Sequence, residues 1–215
     1  MLFVWYKVSF DEKWSHGSAV CETVYFFVEF VCVFPWKCVS LNNQNREKIM
    51  DGILRKLPIG IQTFEKLREG DYLYVDKTAL VWRIASTETP YFLSRPRRFG
   101  KSLLLSTFEA YFEGKKELFE GLAIADMEKE WKTYPVFHLD LNAEKYDSPQ
   151  ALVEILSRQL TQWELKYGKG EDEETLSGRF AGVIRRACEQ SGRGVVVLVD
   201  EYDKPLLQAL DDGAL

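Results

Sequence analysis

Two kinds of apolar pattern alternate along most of this chain, and together they predict an order of strands and helices. Short apolar runs predict strands at 72–75, 91–94, 135–141 and 194–199. Apolar residues at helical spacing predict helices at 78–84, 101–112, 147–163 and 176–192. The last strand is apolar without alternation, which is typical of a strand covered on both faces of a parallel sheet. The pattern therefore predicts a three-layer α/β/α fold with a parallel central sheet.

The first 49 residues differ from this pattern and are predicted to form an atypical extension to a main domain at 50–215. They contain three of the four cysteines, and residues 19–36 are almost continuously apolar. Glu22 and Glu29 interrupt that run, and because each acidic group costs about 2.5 to 3.5 kcal/mol in a bilayer core, no membrane-spanning helix is expected. No secretory signal is recognisable either. An over-extended gene start would explain the segment, so its deletion is expected to leave folding unchanged.

The composition restricts the classes of protein that fit. The chain has 215 residues, with 28 Lys plus Arg and 33 Asp plus Glu, which gives a formal net charge of −5. Such mild acidity argues against a protein that coats nucleic acid through its overall charge. The cysteines form no C-x-x-C pair, so free thiols in a reducing cytoplasm are expected rather than disulfides or zinc ligands. Cys188 lies on the apolar face of its helix and is expected to be a packing thiol.

A phosphate-binding loop is the first chemical element that the sequence predicts. Residues 95–102 (RPRRFGKS) lie between a predicted strand and a predicted helix and end in Gly100-Lys101-Ser102. A helix N-terminus presents unpaired N–H groups and a partial positive charge to phosphate oxygens, and glycine lets the backbone approach them. We expect Lys101 to reach the β and γ phosphates and the Ser102 hydroxyl to ligate Mg²⁺.

The start of this loop departs from the usual pattern. Arg95 stands where a glycine is usual, and Pro96 removes a backbone donor. Arg97 and Arg98 are predicted to supply positive charge instead, either to the nucleotide or to another partner. A Gly-Lys-Ser triplet is weak evidence by itself, because it arises by chance in about one chain in ten of this length. A basic surface turn is the alternative interpretation.

A pair of carboxylates after the last predicted strand strengthens the nucleotide hypothesis. Five apolar residues, 195–199, lead directly into Asp200 and Glu201. An acidic residue at the end of a buried strand is costly unless it has a partner. As in a Walker B element, Asp200 is expected to hold Mg²⁺ and Glu201 to polarise the attacking water. Both elements follow strands, at the edge where open α/β sheets bind ligands, so we expect them to converge; a structural acidic pair is the alternative.

Four segments together resemble the AAA-ATPase-like domain family of bacterial proteins: 57–78, 91–114, 134–141 and 195–207. The combination of RPRRFGKS with DEYDKP is specific to that family, and the missing first glycine is usual in it. The resemblance implies a P-loop NTPase core in which Asp200 and Glu201 are the Walker B pair. The predicted nucleotide-binding residues are Arg95, Pro96, Arg97, Arg98, Phe99, Gly100, Lys101, Ser102 and Leu103.

The resemblance also implies that the domain continues past Leu215 and is incomplete here. Members of the family are longer, with further core strands that carry a sensor residue, and many add a C-terminal domain similar to PD-(D/E)XK nucleases. Residues 1–49 have no counterpart in the family, so their deletion is expected to leave nucleotide affinity unchanged as well.

Mg²⁺-dependent ATP hydrolysis in the cytoplasm is the function that these observations favour, with Glu201 aligning the water and Lys101 neutralising charge. A nucleotide-dependent switch or binding module without efficient turnover is the alternative, and the missing sensor favours it. The arginines at 95, 97 and 98 leave a contact with nucleic acid open. The sequence predicts neither the oligomeric state nor the work that hydrolysis drives.

Several other polar residues have both a structural and a functional interpretation. Asp140 is expected to cap a helix or turn rather than to touch the site, and His138, for which the sequence suggests no partner, to be a core or boundary residue. Asp76-Lys77-Thr78 is expected to cap a helix rather than to orient a lid near the adenine. For Asp203 and Lys204, a functional family signature and an internal ion pair are equal alternatives.

Overall fold

A computed structural model describes residues 2–8, 55–87, 90–94, 99–141, 149–171 and 173–204. The strands in these ranges are β1 Leu2–Val8, β2 Tyr91–Ser94, β3 Val136–Asp140 and β4 Val195–Asp200. The helices are α1 Phe64–Glu69, α2 Thr78–Ala85, α3 Lys101–Phe112, α4 Ala123–Met127, α5 Pro149–Tyr167 and α6 Leu176–Ser191, with a 3-10 turn at Lys116–Phe119. Among the described residues, no helix combines the length and the apolar character needed to cross a bilayer.

The four strands form one mixed sheet in the order β2-β1-β4-β3. β3 and β4 pair in parallel, with Asp140 beside Asp200 at their carboxyl ends. β1 pairs antiparallel with both β2 and β4, so β2 has the same direction as β3 and β4. The predicted parallel pairing is therefore confirmed for β3 and β4, whereas the antiparallel β1 departs from the prediction of a wholly parallel sheet.

Helices cover both faces of β4, as its continuous apolar sequence predicts. Val196 and Leu198 are fully buried in a cluster that includes Leu105 and Phe108 of α3. Val195 faces the other side of the sheet, because successive side chains of a strand alternate between its faces. There it lies in a cluster with residues of α5 and α6: Leu160, Val183, Ile184 and Ala187. The chain is thus an α/β protein with helices on both faces of its sheet.

The bounds of two helices agree with the sequence, and the cap of a third differs from the predicted one. α3 has the predicted bounds, and α6 follows Thr175, whose Oγ1 accepts a hydrogen bond from the Gly178 N–H at 3.1 Å. Thr78 is the first residue of α2 rather than its cap. Asp76 instead accepts hydrogen bonds at Oδ1 from the Thr78 N–H at 2.8 Å and from the Thr78 hydroxyl at 2.7 Å.

The run 72–75 was predicted as a strand, and the structure does not form one there. Tyr72 makes an isolated bridge to Lys56, and Leu73 and Val75 are exposed. The β-like composition of this run has no adjacent strand to pair with among the described residues, so local propensity alone does not produce a ladder. The short helices α1 and α4 were not predicted, because five or six residues are too few to show a helical period.

β1 belongs to the segment that the sequence assigns to a separate extension. Its residues pair with β2 from Leu2 to Trp5 and with β4 from Val4 to Val8. The predicted boundary at residue 49 lies outside the described residues and stays a prediction. The position of β1 inside the sheet nevertheless argues against the expectation that the whole extension can be removed without effect.

Deletion of residues 1–8 is expected to destabilise the protein. β2 would lose its pairing with β1, and β4 would keep only its pairing with β3 among the described strands. With several ladder hydrogen bonds of about 1 kcal/mol each at stake, we expect a loss of about 2 to 4 kcal/mol, measured by urea unfolding. Val4→Pro, which removes one backbone donor, should lie between the deletion and the full chain. Unchanged unfolding of the deleted chain would show that the extension is dispensable.

Two ion pairs hold α6 against α5 and the segment that follows α5. Arg179 donates to Glu164 from Nε at 2.8 Å and from Nη2 at 2.7 Å, and the two side chains are only 12% and 6% exposed. Arg186 binds Glu173 in the same bidentate manner. The hydrogen bond and charge of Arg179 lower the pKa of Glu164 below its ordinary value, and Arg186 does the same for the pKa of Glu173.

Glu164→Gln is expected to cost about 2 kcal/mol at pH 7, because it leaves the Arg179 guanidinium buried without its counter-charge. Since the folded-state pKa of Glu164 is depressed, the ion pair stabilises the fold above the unfolded pKa of about 4.3. This contribution is lost as the pH falls through the folded-state pKa. Urea unfolding between pH 7 and pH 3 should therefore show the parent and variant curves converging in acid.

Glu130→Gln is the matched control, because Glu130 pairs with Lys132 on the exposed surface. It is expected to change the stability far less. Equal effects of the two substitutions, or curves that stay parallel down to pH 3, would contradict a stabilising role of the Glu164–Arg179 pair.

Candidate functional site

The start of α3 meets the end of β4 at one edge of the sheet. Ser102 Oγ donates a hydrogen bond to Asp200 Oδ2 at 2.7 Å, although the two residues are 98 positions apart. Lys101 and Asp200 are each only 5% exposed. The structure thus brings together the cationic turn and the strand-end carboxylate that the sequence analysis expects to converge.

Backbone geometry at both sides of this contact favours a sharp change of direction. Gly100 precedes α3 with φ +71, a left-handed conformation that glycine adopts without steric cost. Glu201 has φ +55 directly after β4, and a residue with a Cβ pays about 1 to 2 kcal/mol for that conformation. Such strain persists only where the surroundings enforce it, and it is concentrated at functional sites. The turn moves the half-buried Glu201 out of the strand direction.

Burial and neighbouring charges shift the pKa of Glu201. Burial, followed by the negative charge of Asp200, raises the pKa of Glu201 above its ordinary value, and the positive charge of Lys101 partly offsets this. A carboxylate whose pKa is raised towards neutrality is a better proton acceptor. The Tyr202 ring lies 5.8 Å from the Phe92 ring of β2, so the segment after β4 is also anchored to the strand that precedes the predicted loop.

The two carboxylate oxygens of Asp200 differ in their surroundings. Asp200 Oδ1 is buried and makes no hydrogen bond within the part of the chain that the structure describes. A buried acceptor without a partner costs about 1 to 3 kcal/mol, and in native structures it commonly marks a bound water or ion. The site therefore contains one engaged and one unsatisfied carboxylate oxygen, side by side.

A second polar contact joins the same helix to β3 and was not predicted from the sequence. His138 Nδ1 of β3 is 3.1 Å from Glu109 Oε2 of α3. Burial lowers the pKa of His138, but the hydrogen bond and charge of Glu109 outweigh it, so the pKa is raised overall. The available signal was the spacing of Ser102 and Glu109, which are seven residues apart and so share one face of α3.

The other predicted nucleotide-binding residues are those at 95–99 and 103. Arg95, Pro96, Arg97 and Arg98 lie outside the described residues, and their roles stay predictions. Phe99 is exposed, whereas Leu103 is partly buried against the apolar cluster that contains Leu105 and Phe108.

Three further charged residues lie at or just after the carboxyl ends of β3 and β4. Asp140 is exposed and lies beside Asp200 across the β3–β4 pair. Asp203 and Lys204 follow the turn at Glu201 and are half-buried. Their charges act on Glu201, in opposite directions on its pKa.

The segment around Asp76 joins two helices. Asp76 Oδ2 accepts a hydrogen bond from the Ala123 N–H at 2.8 Å, and the buried Thr78 hydroxyl accepts one from the Ile124 N–H at 3.1 Å. The segment therefore ties α2 to α4 as well as capping α2. Cys188 is half-buried against the apolar cluster of α5 and α6, and burial raises the pKa of its thiol, which agrees with the predicted packing role.

The fold and this site together define an α/β protein in which a basic helix start faces an acidic strand end. The chain belongs to the AAA-ATPase-like family, since the family model described as "Predicted AAA-ATPase" matches residues 58–215. The resemblance seen in the motifs is thereby confirmed, whereas the nuclease-like domain and the roles of the individual site residues stay predictions.

A relative from Azotobacter chroococcum mcd 1 has a similar sequence and is described as "Uncharacterized protein in vnfD 5'region". It is 45% identical over 157 residues, which are 73% of this chain and 30% of the relative. The chain thus spans less than a third of the length of that relative. No solved structure matches the chain.

Replacement of Glu201 by glycine is expected to give a more stable protein than replacement by alanine, by about 1 kcal/mol. Both changes remove the carboxylate, and only glycine adopts φ +55 without strain. The entropy that glycine gains in the unfolded chain reduces the difference. Thermal and urea unfolding of the two variants measure it, and a more stable alanine variant would contradict a left-handed turn at this position.

Proposed function

We propose that this domain binds ATP where α3 meets β4 and hydrolyses it with the help of Mg²⁺, as a P-loop NTPase core. The observation that carries the proposal is the hydrogen bond of 2.7 Å between Ser102 and Asp200, made beside the buried Lys101. Membership in a family whose model is described as a predicted ATPase supports it. ATP is the substrate, and the phosphates are the part of it that the site recognises.

The N-terminus of α3 would bind the phosphates. This helix has 12 residues, so its N-terminus offers unpaired N–H groups and a partial positive charge. Apart from Gly100 itself and its two chain neighbours, no atom of the described residues lies within 4 Å of the position that a Cβ atom of Gly100 would take, which would let a phosphate approach the backbone. Lys101 would place its ammonium group on the outer phosphates, and the arginines at 95, 97 and 98 would add charge from the loop.

Mg²⁺ fits the oxygen atoms that the site offers. The Ser102 hydroxyl and the Asp200 carboxylate are hard oxygen ligands, and Asp200 Oδ1 is buried without a partner in the part of the chain that the structure describes. In the described ranges no group of three or more His, Cys, Asp or Glu side chains is arranged to hold a metal ion. Ser102 and Asp200 would therefore share the ion with water and phosphate oxygens, as is usual for Mg²⁺. When bound, the ion would neutralise charge on the phosphate oxygens.

Glu201 would act on the attacking water. Its turn places the carboxylate next to Asp200 but outside the strand, and its raised pKa makes it a suitable proton acceptor. A carboxylate oxygen of Glu201 would orient a water molecule in line with the γ phosphate and accept its proton. As the new P–O bond forms, the bond from the γ phosphorus to the β–γ bridging oxygen would break, and ADP and phosphate would leave. Lys101 would stabilise the negative charge on the phosphoryl oxygens during this transfer.

Calorimetric ATP binding and phosphate release test the proposal in the parent chain and in two variants. Lys101→Ala is expected to weaken ATP binding at least about tenfold, because it removes the buried ammonium. Glu201→Gln is expected to keep binding and to lose turnover by a factor of about 10² or more. Lys115→Ala, at the opposite end of α3, is the matched control and should change neither.

The possible results separate the hypotheses. Lys101→Ala that binds ATP as tightly as the parent would refute the site. Binding without turnover in the parent would instead favour the nucleotide-dependent switch. A contact with nucleic acid through the loop arginines would appear as DNA binding that weakens steeply with salt.

A further inference from the structure

Two buried polar atoms at the sheet edge have no hydrogen-bond partner among the described residues: His138 Nε2 and Asp200 Oδ1. They belong to adjacent parallel strands, because His138 of β3 lies beside Leu198 of β4, two residues before Asp200. Residues two apart on a strand share a face, so both side chains lie on the same face of the sheet. One atom can donate a hydrogen bond and the other can accept it.

α3 covers this face and engages the other end of both side chains. It contacts β3 and β4, and its residues Glu109 and Ser102 bind His138 Nδ1 and Asp200 Oδ2, at 3.1 Å and 2.7 Å. The two nitrogens of an imidazole lie on different sides of the ring, so the bond to Glu109 turns Nε2 away from α3. Each side chain thus has one atom held by α3 and a second, buried atom without a partner among the described residues.

We propose that an ordered water joins His138 Nε2 to Asp200 Oδ1, and that Glu109 and His138 thereby position the Asp200 carboxylate for Mg²⁺. This inference rests on the proposed function. Buried waters typically satisfy two to four such polar groups, and a bridging water is nearly as favourable as a direct hydrogen bond. Glu109, Asp140 and Asp200 all favour the protonated ring, which can donate from both nitrogens.

His138 is a positioning residue in this arrangement, because it contacts neither the nucleotide nor the reacting atoms. Residues that orient a metal ligand in this way typically contribute a factor of about 10 to 100 to metal affinity. This positioning role would explain why Glu109 of α3 contacts His138 of β3, a polar contact that belongs neither to the apolar core nor to the proposed catalytic residues.

Imidazole ¹⁵N NMR of the nucleotide-free chain tests the link to Asp200 directly. The chain has two histidines, so a spectrum of His138→Gln assigns the His138 signals. The spectra are compared at a pH low enough for the His138 ring to be protonated in every variant, because Asp140 and Asp200 both favour the protonated ring. Asp200→Asn is then expected to shift the Nε2 resonance. Asp140→Asn, which removes an exposed carboxylate beside Asp200, should shift it much less. Equal shifts would show a general charge effect, and either that result or no shift overturns the link.

Calorimetry with and without Mg²⁺ tests the consequence for the site. His138→Leu is expected to weaken ATP binding about tenfold in Mg²⁺ and to leave binding in EDTA unchanged. His138→Gln, which keeps a donor, should recover most of the loss, and Glu109→Gln should fall between the two. Leu139→Val, on the opposite face of β3, is the control for strand packing and should match the parent.

A loss that is equal with and without Mg²⁺, or no rescue by glutamine, would overturn the positioning role. If the parent binds no ATP at all, the proposed function fails and so does the role in Mg²⁺ binding. The NMR comparison then still separates the outcomes, because a shift confined to Asp200→Asn supports the His138–Asp200 link and its absence refutes it.

Discussion

The hydrogen bond between Ser102 and Asp200 is the constraint on which the rest of this structure depends. A carboxylate that is only 5% exposed needs a partner, and Ser102 supplies it from the first turn of α3. This bond sets where α3 begins relative to the end of β4, and it places Lys101 in the same buried corner. This contact therefore links the position of α3 on the sheet to the geometry of the candidate site.

One face of α3 packs into the apolar core, and another carries polar side chains of the candidate site. Leu105 and Phe108 are fully buried with Leu198 of β4, while Ser102 and Glu109 reach polar groups at the ends of β3 and β4. Because the helix is anchored by its apolar face, its polar side chains are held without freedom to drift. The strain at Glu201 is compatible with this, since the surrounding contacts enforce a turn that an isolated chain would avoid.

The strands β4 and β2 are stabilised in different ways. β4 is stabilised by helices on both faces and by its parallel partner β3. β2, which precedes the predicted phosphate-binding loop, pairs with β1, and the ring of its Phe92 also contacts the ring of Tyr202. The strand before the loop and the turn after β4 are thus connected both through β1 and through one aromatic contact. The geometry of the site depends on elements that are far apart in the sequence.

Local signals in the sequence determined the long elements and the candidate chemistry of this protein. Helical periods placed α3 and α6, the unbroken apolar run placed β4, and the motifs around Lys101 and Asp200 indicated phosphate and metal binding. Only the tertiary structure placed β1 inside the sheet, paired His138 with Glu109, and used Asp76 to join α2 to α4. It also left the run 72–75 without a strand partner among the described residues. Periodicity and capping residues act over a few positions, whereas strand order and buried polar pairing are set by which distant groups can satisfy each other once the core is packed.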